Sequence, residues 1–134
     1  MKQNNIKITI VGLGYVGLPL AVEFSKHFNV VGYDLIETRI KELRKGHDKT
    51  KELSIDQLLN TKNLLFTSAL DEIRDSNIYI ITVPTPVNKN NIPDLGPLKE
   101  ASKMVGSVLN KNDLVIYEST VYPGATQNIC VPIL

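Results

Sequence analysis

The sequence predicts an α/β domain built on a doubly wound parallel sheet. Short β-branched segments alternate with segments of helical periodicity along all 134 residues, and a Gly-x-Gly-x-x-Gly run joins the first strand to the first helix. Composition agrees: 43% hydrophobic and 22% charged residues are ordinary globular usage, and at roughly 100–200 residues per domain the length fits one core.

Ile6-Lys7-Ile8-Thr9-Ile10-Val11 alternates early and ends wholly apolar, as a strand entering a buried parallel sheet should. After the glycines, Leu18, Ala21, Val22, Phe24, Ser25 and Phe28 recur at helical spacing, predicting a helix to about Lys26. Residues 29–34 form a second strand ending on Asp34. Ile36, Ile40 and Leu43 mark a second helix, stopped by Gly46 with Arg44 and Lys45 in its last turn. Ser54 caps a short helix over residues 54–59, and Leu64-Leu65-Phe66-Thr67 is the third strand. A brief helix over 69–74 precedes the fourth strand, 77–83, which Pro84-Thr85-Pro86 ends. A loop rich in Asn and Pro spans 87–97, and a helix over 98–109 buries Ala101, Val105 and Val108. Residues 113–117 are the fifth strand, and 124–134 have the look of another helix beginning. Strand and helix in strict alternation mean parallel strands with helical crossovers on both faces.

Charge and cysteine usage exclude several function classes. Lys and Arg number 15 against 14 for Asp and Glu, so the basic surplus that drives counterion release is missing and no nucleic-acid partner is expected. Cys130 is the single cysteine, which excludes an intrachain disulfide and fits a reducing compartment. No apolar run approaches the ~18–20 residues of a membrane span, and the first residues lack a signal-peptide pattern; a cytoplasmic location without membrane contact is expected. No Cys/His/Asp spacing suggests a metal site. Residues 41–52 mix both signs of charge and are most simply a solvated face. His27 and His47 have no partner in sequence that would make either a general base. The ending Ile129-Cys130-Val131-Pro132-Ile133-Leu134 is apolar without a polar tail, which suggests a piece of something longer. Five strands fit that expectation, since the six-stranded arrangement needs one more crossover.

The glycine run follows a strand and opens a helix inside a βαβ unit, the context of a Rossmann-like dinucleotide fold. Gly12 permits the tight turn, Gly14 lets the backbone approach a pyrophosphate, and Gly17 lets the helix pack on the sheet. The helix N-terminus supplies unpaired N–H groups and about half a positive charge for a phosphate. Asp34, at the end of the second strand, can accept both adenosine ribose hydroxyls and would repel a 2′-phosphate, so NAD is expected over NADP. A glycine turn beside a surface Asp is the simpler alternative. Arg39, one helical turn further on, is read as packing over the adenine or pairing with Asp34; a solvated helix Arg, or a partner for a 2′-phosphate, is the alternative.

Gly12-Leu13-Gly14-Tyr15-Val16-Gly17-Leu18-Pro19, Val83-Pro84-Thr85-Pro86 and Glu118-Ser119-Thr120-Val121-Tyr122-Pro123-Gly124-Ala125-Thr126 together resemble the UDP-glucose/GDP-mannose (nucleotide-sugar) dehydrogenase family. Gly46-His47-Asp48-Lys49-Thr50 and Pro93-Asp94-Leu95-Gly96-Pro97-Leu98 look most like the UDP-N-acetylhexosamine 6-dehydrogenases of capsule and O-antigen synthesis. The resemblance implies that residues 1–134 are an NAD-binding domain with a central helix and a sugar-binding domain downstream. It implies a four-electron oxidation: the sugar C6 alcohol gives hydride to NAD, a cysteine captures the aldehyde, a second hydride leaves, and water hydrolyses the thioester. It also implies that Tyr15 and Val16 contact the pyrophosphate, Asp34 and Arg39 the adenosine, and Thr85 and Thr120 the nicotinamide end, Thr120 assisting catalysis. Loop threonines capping turns are the plainer reading of Thr85 and Thr120. The family's nucleophilic cysteine has no match in this chain, and Cys130, in an apolar stretch without His or Lys beside it, is read as packing. A homodimer is implied for the full-length enzyme and a UDP-sugar for its substrate. A stand-alone dinucleotide sensor is the alternative. A dehydrogenase of hydroxy acids is disfavoured by the Pro84-Thr85-Pro86 and Ser119-Thr120 motifs.

Overall fold

The computed structural model describes residues 5–119 and 123–134. Five strands, β1 (Lys7–Val11), β2 (Asn29–Tyr33), β3 (Leu64–Thr67), β4 (Ile78–Ile81) and β5 (Leu114–Tyr117), form one sheet in the order β3-β2-β1-β4-β5. Every pairing is parallel. β1 lies in the middle, with Val11 beside Tyr33 on one side and beside Ile81 on the other. The chain therefore winds outward from β1 in one direction and, after β3, returns to wind outward in the other. That reversal opens a crevice at the carboxyl ends of β1 and β4, where ligands bind in such sheets.

Alternating side chains divide the core into two layers. Ile8, Ile10 and Ile80 pack with Leu18, Ile40 and Leu43 from α1 (Gly17–Ser25) and α2 (Glu37–Arg44). Val11, Tyr79 and Ile81 pack on the opposite face with Leu98 and Val105 from α4 (Gly96–Gly106) and with Cys130. Thr9 is fully buried in the sheet, and its hydroxyl is matched by the Ser76 hydroxyl at 2.7 Å, so neither polar group is orphaned. Pro19 falls in the first turn of α1, where a backbone N–H has no intrahelical acceptor to lose. α3 (Ile55–Leu59) starts from Ser54 with a complete capping box: Ser54 Oγ accepts from Gln57 N, and Gln57 Oε1 accepts from Ser54 N.

Three elements differ from the sequence reading. α4 begins two residues before the expected 98, because Pro97 is suited to a first helical turn, and ends at Gly106 rather than 109. The segment 69–74 contains only a 3₁₀ turn, Leu70–Ile73. The C-terminal residues are helical, as expected, but as a wide π-helical turn, Thr126–Cys130, followed by a tight 3₁₀ turn, Val131–Ile133. Pro132 lacks the N–H that would close an α-turn there. Cys130 is buried in the second layer, as packing requires. Among the described residues, no helix is long and apolar enough to cross a membrane, and no cluster of His, Cys, Asp and Glu could hold a metal ion.

Candidate functional site

The crevice is built from the turn after β1. Gly12 N donates to Tyr33 O at 2.8 Å, and the chain then bends with Gly12 at φ +97°, a conformation that favours glycine. Thr82, just beyond β4, donates its hydroxyl to Val11 O at 3.1 Å and Gly12 O at 2.7 Å, fixing the turn from the neighbouring strand. Gly17 must be glycine for another reason: a Cβ there would collide with the Gly12 carbonyl oxygen and the Thr82 hydroxyl. Gly14 is different. A Cβ at Gly14 would have no protein atom within 4 Å, so open space faces the backbone at the middle glycine. α1 starts here without a side-chain cap and without an acidic residue in its first turn, leaving the positive end of its dipole uncompensated.

Both ends of the Leu13 residue are held by ionisable side chains. Its N–H donates to Asp34 Oδ2 at 2.9 Å. Its carbonyl accepts from Arg39 Nε and Nη2 at 3.0 and 2.8 Å. Asp34 Oδ1 accepts from Ile36 N at 2.9 Å, so each carboxylate oxygen has one backbone partner. An ionised carboxylate offers about four lone-pair positions, which leaves room for two further donors.

Arg39 does not pair with Asp34 and is no solvated helix residue. It is 3% exposed, and its Nη1 lies 2.9 Å from Asp48 Oδ1. Asp48 is equally dry and also accepts from Thr50 N and Oγ1, Glu52 N and Leu53 N. Burial alone would raise its pKa. The hydrogen bonds from Thr50 and Leu53, with the Arg39 guanidinium beside it, outweigh that and hold it at about 2. The reading of residues 41–52 as a wholly solvated face therefore fails at Asp48, because a loop that turns its carboxylate inward can satisfy it with its own N–H groups.

These elements line a cleft of about 670 Å³ containing Gly12, Gly14, Asp34 and Arg39 of the expected residues. Lys49 and Thr50 line it as well, and α4 closes it with Ala101 and Met104; none of these four was anticipated. The Asp-x-Thr sequence at 48–50 was the available signal, since Asp there accepts the N–H two residues on, as in an Asx-turn. Tyr15 and Val16 follow Gly14 directly and stand exposed at 69% and 55%. Val16 borders a second groove, of about 580 Å³, together with Pro19, Ile80, Ile116 and Glu118. Val83 and Pro84 line the main cleft, and Thr85 follows them half-buried. Ser119 Oγ donates to Val83 O at 2.9 Å, joining the ends of β4 and β5. Thr120 lies outside the described residues.

Residues 6–134 match the UDP-glucose/GDP-mannose dehydrogenase family, NAD binding domain. The chain belongs to this family. Its cofactor is NAD, and the cleft suits it: a backbone cradle open at Gly14, an uncapped helix start and a carboxylate with free acceptor positions. Similar curated proteins are a UDP-N-acetyl-D-glucosamine 6-dehydrogenase of Salmonella typhi, 55% identical over 98% of this chain and 31% of its own length, and one of Pseudomonas aeruginosa, 53% identical over 97% and 31%. Protein CapL of Staphylococcus aureus is 50% identical over 97% of this chain and 30% of its own. Among solved structures, a UDP-D-ManNAc dehydrogenase from Pyrococcus horikoshii superposes with TM-score 0.86 at 34% identity, covering 96% of this chain and 32% of that one. A GDP-mannose dehydrogenase from Pseudomonas aeruginosa does so with TM-score 0.85 at 31% identity, covering 94% and 31%. The chain thus spans about a third of the length of these relatives.

Proposed function

We propose that the chain is the cofactor-binding part of a UDP-N-acetylhexosamine 6-dehydrogenase, which oxidises the C6 alcohol of a UDP-sugar to a uronic acid for surface polysaccharide. The observation that carries the reading of the cofactor site is the open backbone at Gly14 set beside Asp34 in one cleft. The choice of sugar rests on the names of the most similar relatives quoted above. When bound, NAD accepts hydride at its nicotinamide; this chain's residues bind and orient it. The N–H groups at the start of α1 hold the pyrophosphate, with Tyr15, Val16 and Gly17 at that turn. Asp34 accepts the ribose hydroxyls, Arg39 braces the adenosine end, and Thr85 and Thr120 serve the nicotinamide end, Thr120 assisting the chemistry.

Cys130 has no part in this reaction: it is buried among apolar side chains, and a nucleophilic thiol must be reachable. The cysteine that captures the aldehyde, and the contacts to the UDP-sugar, belong to a sugar-binding domain of a full-length, cytoplasmic, homodimeric enzyme. The relatives are dehydrogenases and lend the stand-alone sensor no support. NAD-coupled turnover by the full-length gene product tests the proposal with UDP-N-acetylglucosamine, UDP-N-acetylmannosamine and UDP-glucose. Turnover with an N-acetylated sugar is expected. Turnover with UDP-glucose alone would reject the substrate class, and binding of NAD without turnover of any sugar would favour the sensor.

A further inference from the structure

Arg39 is the buried cation of the cleft, held by two hydrogen bonds and one ion pair, and its Nη1 has that ion pair but no hydrogen-bond acceptor. Nε and Nη2 are spent on the Leu13 carbonyl, and Nη1 faces Asp48. The side chains of the pair are 4% and 0% exposed, so water screens their charges little. An unpaired guanidinium at this depth would be costly and would draw an anion from the cleft. Beside Asp48 it has its counter-charge already, and the pair is neutral as a unit. Lys49 also lines the cleft, but it is exposed, and its ammonium is a strongly hydrated point charge. With Arg39 cancelled by Asp48, the acidic group left facing this end of the cleft is the Asp34 carboxyl.

We propose that Asp48 is a specificity-determining positioning residue of the cofactor site: it holds the Arg39 guanidinium on the Leu13 carbonyl and cancels its charge, leaving no buried cation to receive a 2′-phosphate. Asp34 repels that phosphate directly. Asp48 acts through Arg39 by withholding the one buried cation of the cleft. The inference rests on reading this cleft as the NAD site.

The test measures Kd for NAD and NADP by calorimetry in the full-length gene product. Asp48→Asn keeps the shape of the side chain and removes its charge. It should move the ratio of NADP to NAD affinity towards NADP by about tenfold or more. Arg39→Met combined with Asp48→Asn removes both charges and should return the ratio to that of the native protein. Asp34→Ser alone should leave NADP bound no better than NAD, because Arg39 stays committed to Asp48. Loss of both cofactors by one common factor in Asp48→Asn would reveal a merely structural contact and overturn the proposal. A clear NADP preference in Asp34→Ser would overturn it as well, and that variant leaves the buried pair intact. A native protein that binds neither cofactor would instead overturn the reading of the site, and the proposal with it.

Discussion

Gly14 and Gly17 are both glycines of one loop, yet alanine should do opposite things at the two positions. At Gly17 the added methyl would overlap the Gly12 carbonyl oxygen and the Thr82 hydroxyl, so α1 must move off the sheet. Overpacking against backbone costs about 3 kcal/mol or more. For a domain of this size, about 3–5 °C of Tm per kcal/mol makes that a loss of at least about 10 °C. At Gly14 the methyl meets no protein atom within 4 Å, and Gly14 is not among the glycines with positive φ. Alanine there should leave stability unchanged or raise it by about 0.4–1 kcal/mol, through a less disordered unfolded chain. The same methyl occupies the space that the pyrophosphate needs, so NAD affinity should fall at least about tenfold. Thermal denaturation and calorimetric titration with NAD on the same samples separate the two effects. A Gly14→Ala variant that binds NAD normally, or that is destabilised like Gly17→Ala, would refute the assignment of the open space to the cofactor.

Two further outcomes follow from the buried polar contacts. Asp48 has a pKa of about 2 in place of its ordinary 3.8, so its contribution to stability is present above pH 3.8 and disappears as the pH falls towards 2. The shift corresponds to about 2 kcal/mol, which urea denaturation at about pH 5 and about pH 2.5 should detect in the native chain and find missing from the pH dependence of Asp48→Asn. Equal pH dependence in both proteins would contradict the assignment. Thr82→Val removes the hydroxyl that donates to Val11 O and Gly12 O, and should cost about 1–3 kcal/mol in chemical denaturation. No loss in that variant would mean that the turn is fixed without Thr82.

What could be read from the residues was whatever one stretch of chain decides for itself. The five strands lie where their apolar runs place them, and the signature is fullest in β1, β2 and β4, the central strands that are largely buried. Gly12, Gly14 and Asp34 were legible for a related reason: strand, turn and helix follow one another, and the spacing itself brings the three to one sheet edge. Arg39 lines the same cleft as Asp34, but of its two expected roles the pairing with Asp34 gives way to one with Asp48. Its distance from Asp34 is set within one βα unit, whereas the inward turn of Asp48 depends on Gly46 ending α2 with φ +78° and on four donors from Thr50, Glu52 and Leu53. A run of alternating charges does not say which carboxylate will be desolvated. The wall supplied by α4 was equally hidden, since Ala101 and Met104 come to the cleft by way of the β4–α4 crossover rather than by any local motif.

The grip of Asp34 on Leu13 has a consequence for how this domain can be remade. The carboxylate proposed to select the cofactor also fastens the N–H groups of Leu13 and Ile36, so on that proposal recognition and loop shape share the same two oxygens. Cofactor preference in this chain therefore cannot drift by a single step at Asp34 without loosening the loop that every dinucleotide must meet. A redesign for a phosphorylated cofactor would have to give those two N–H groups new acceptors first, and only then change the charge.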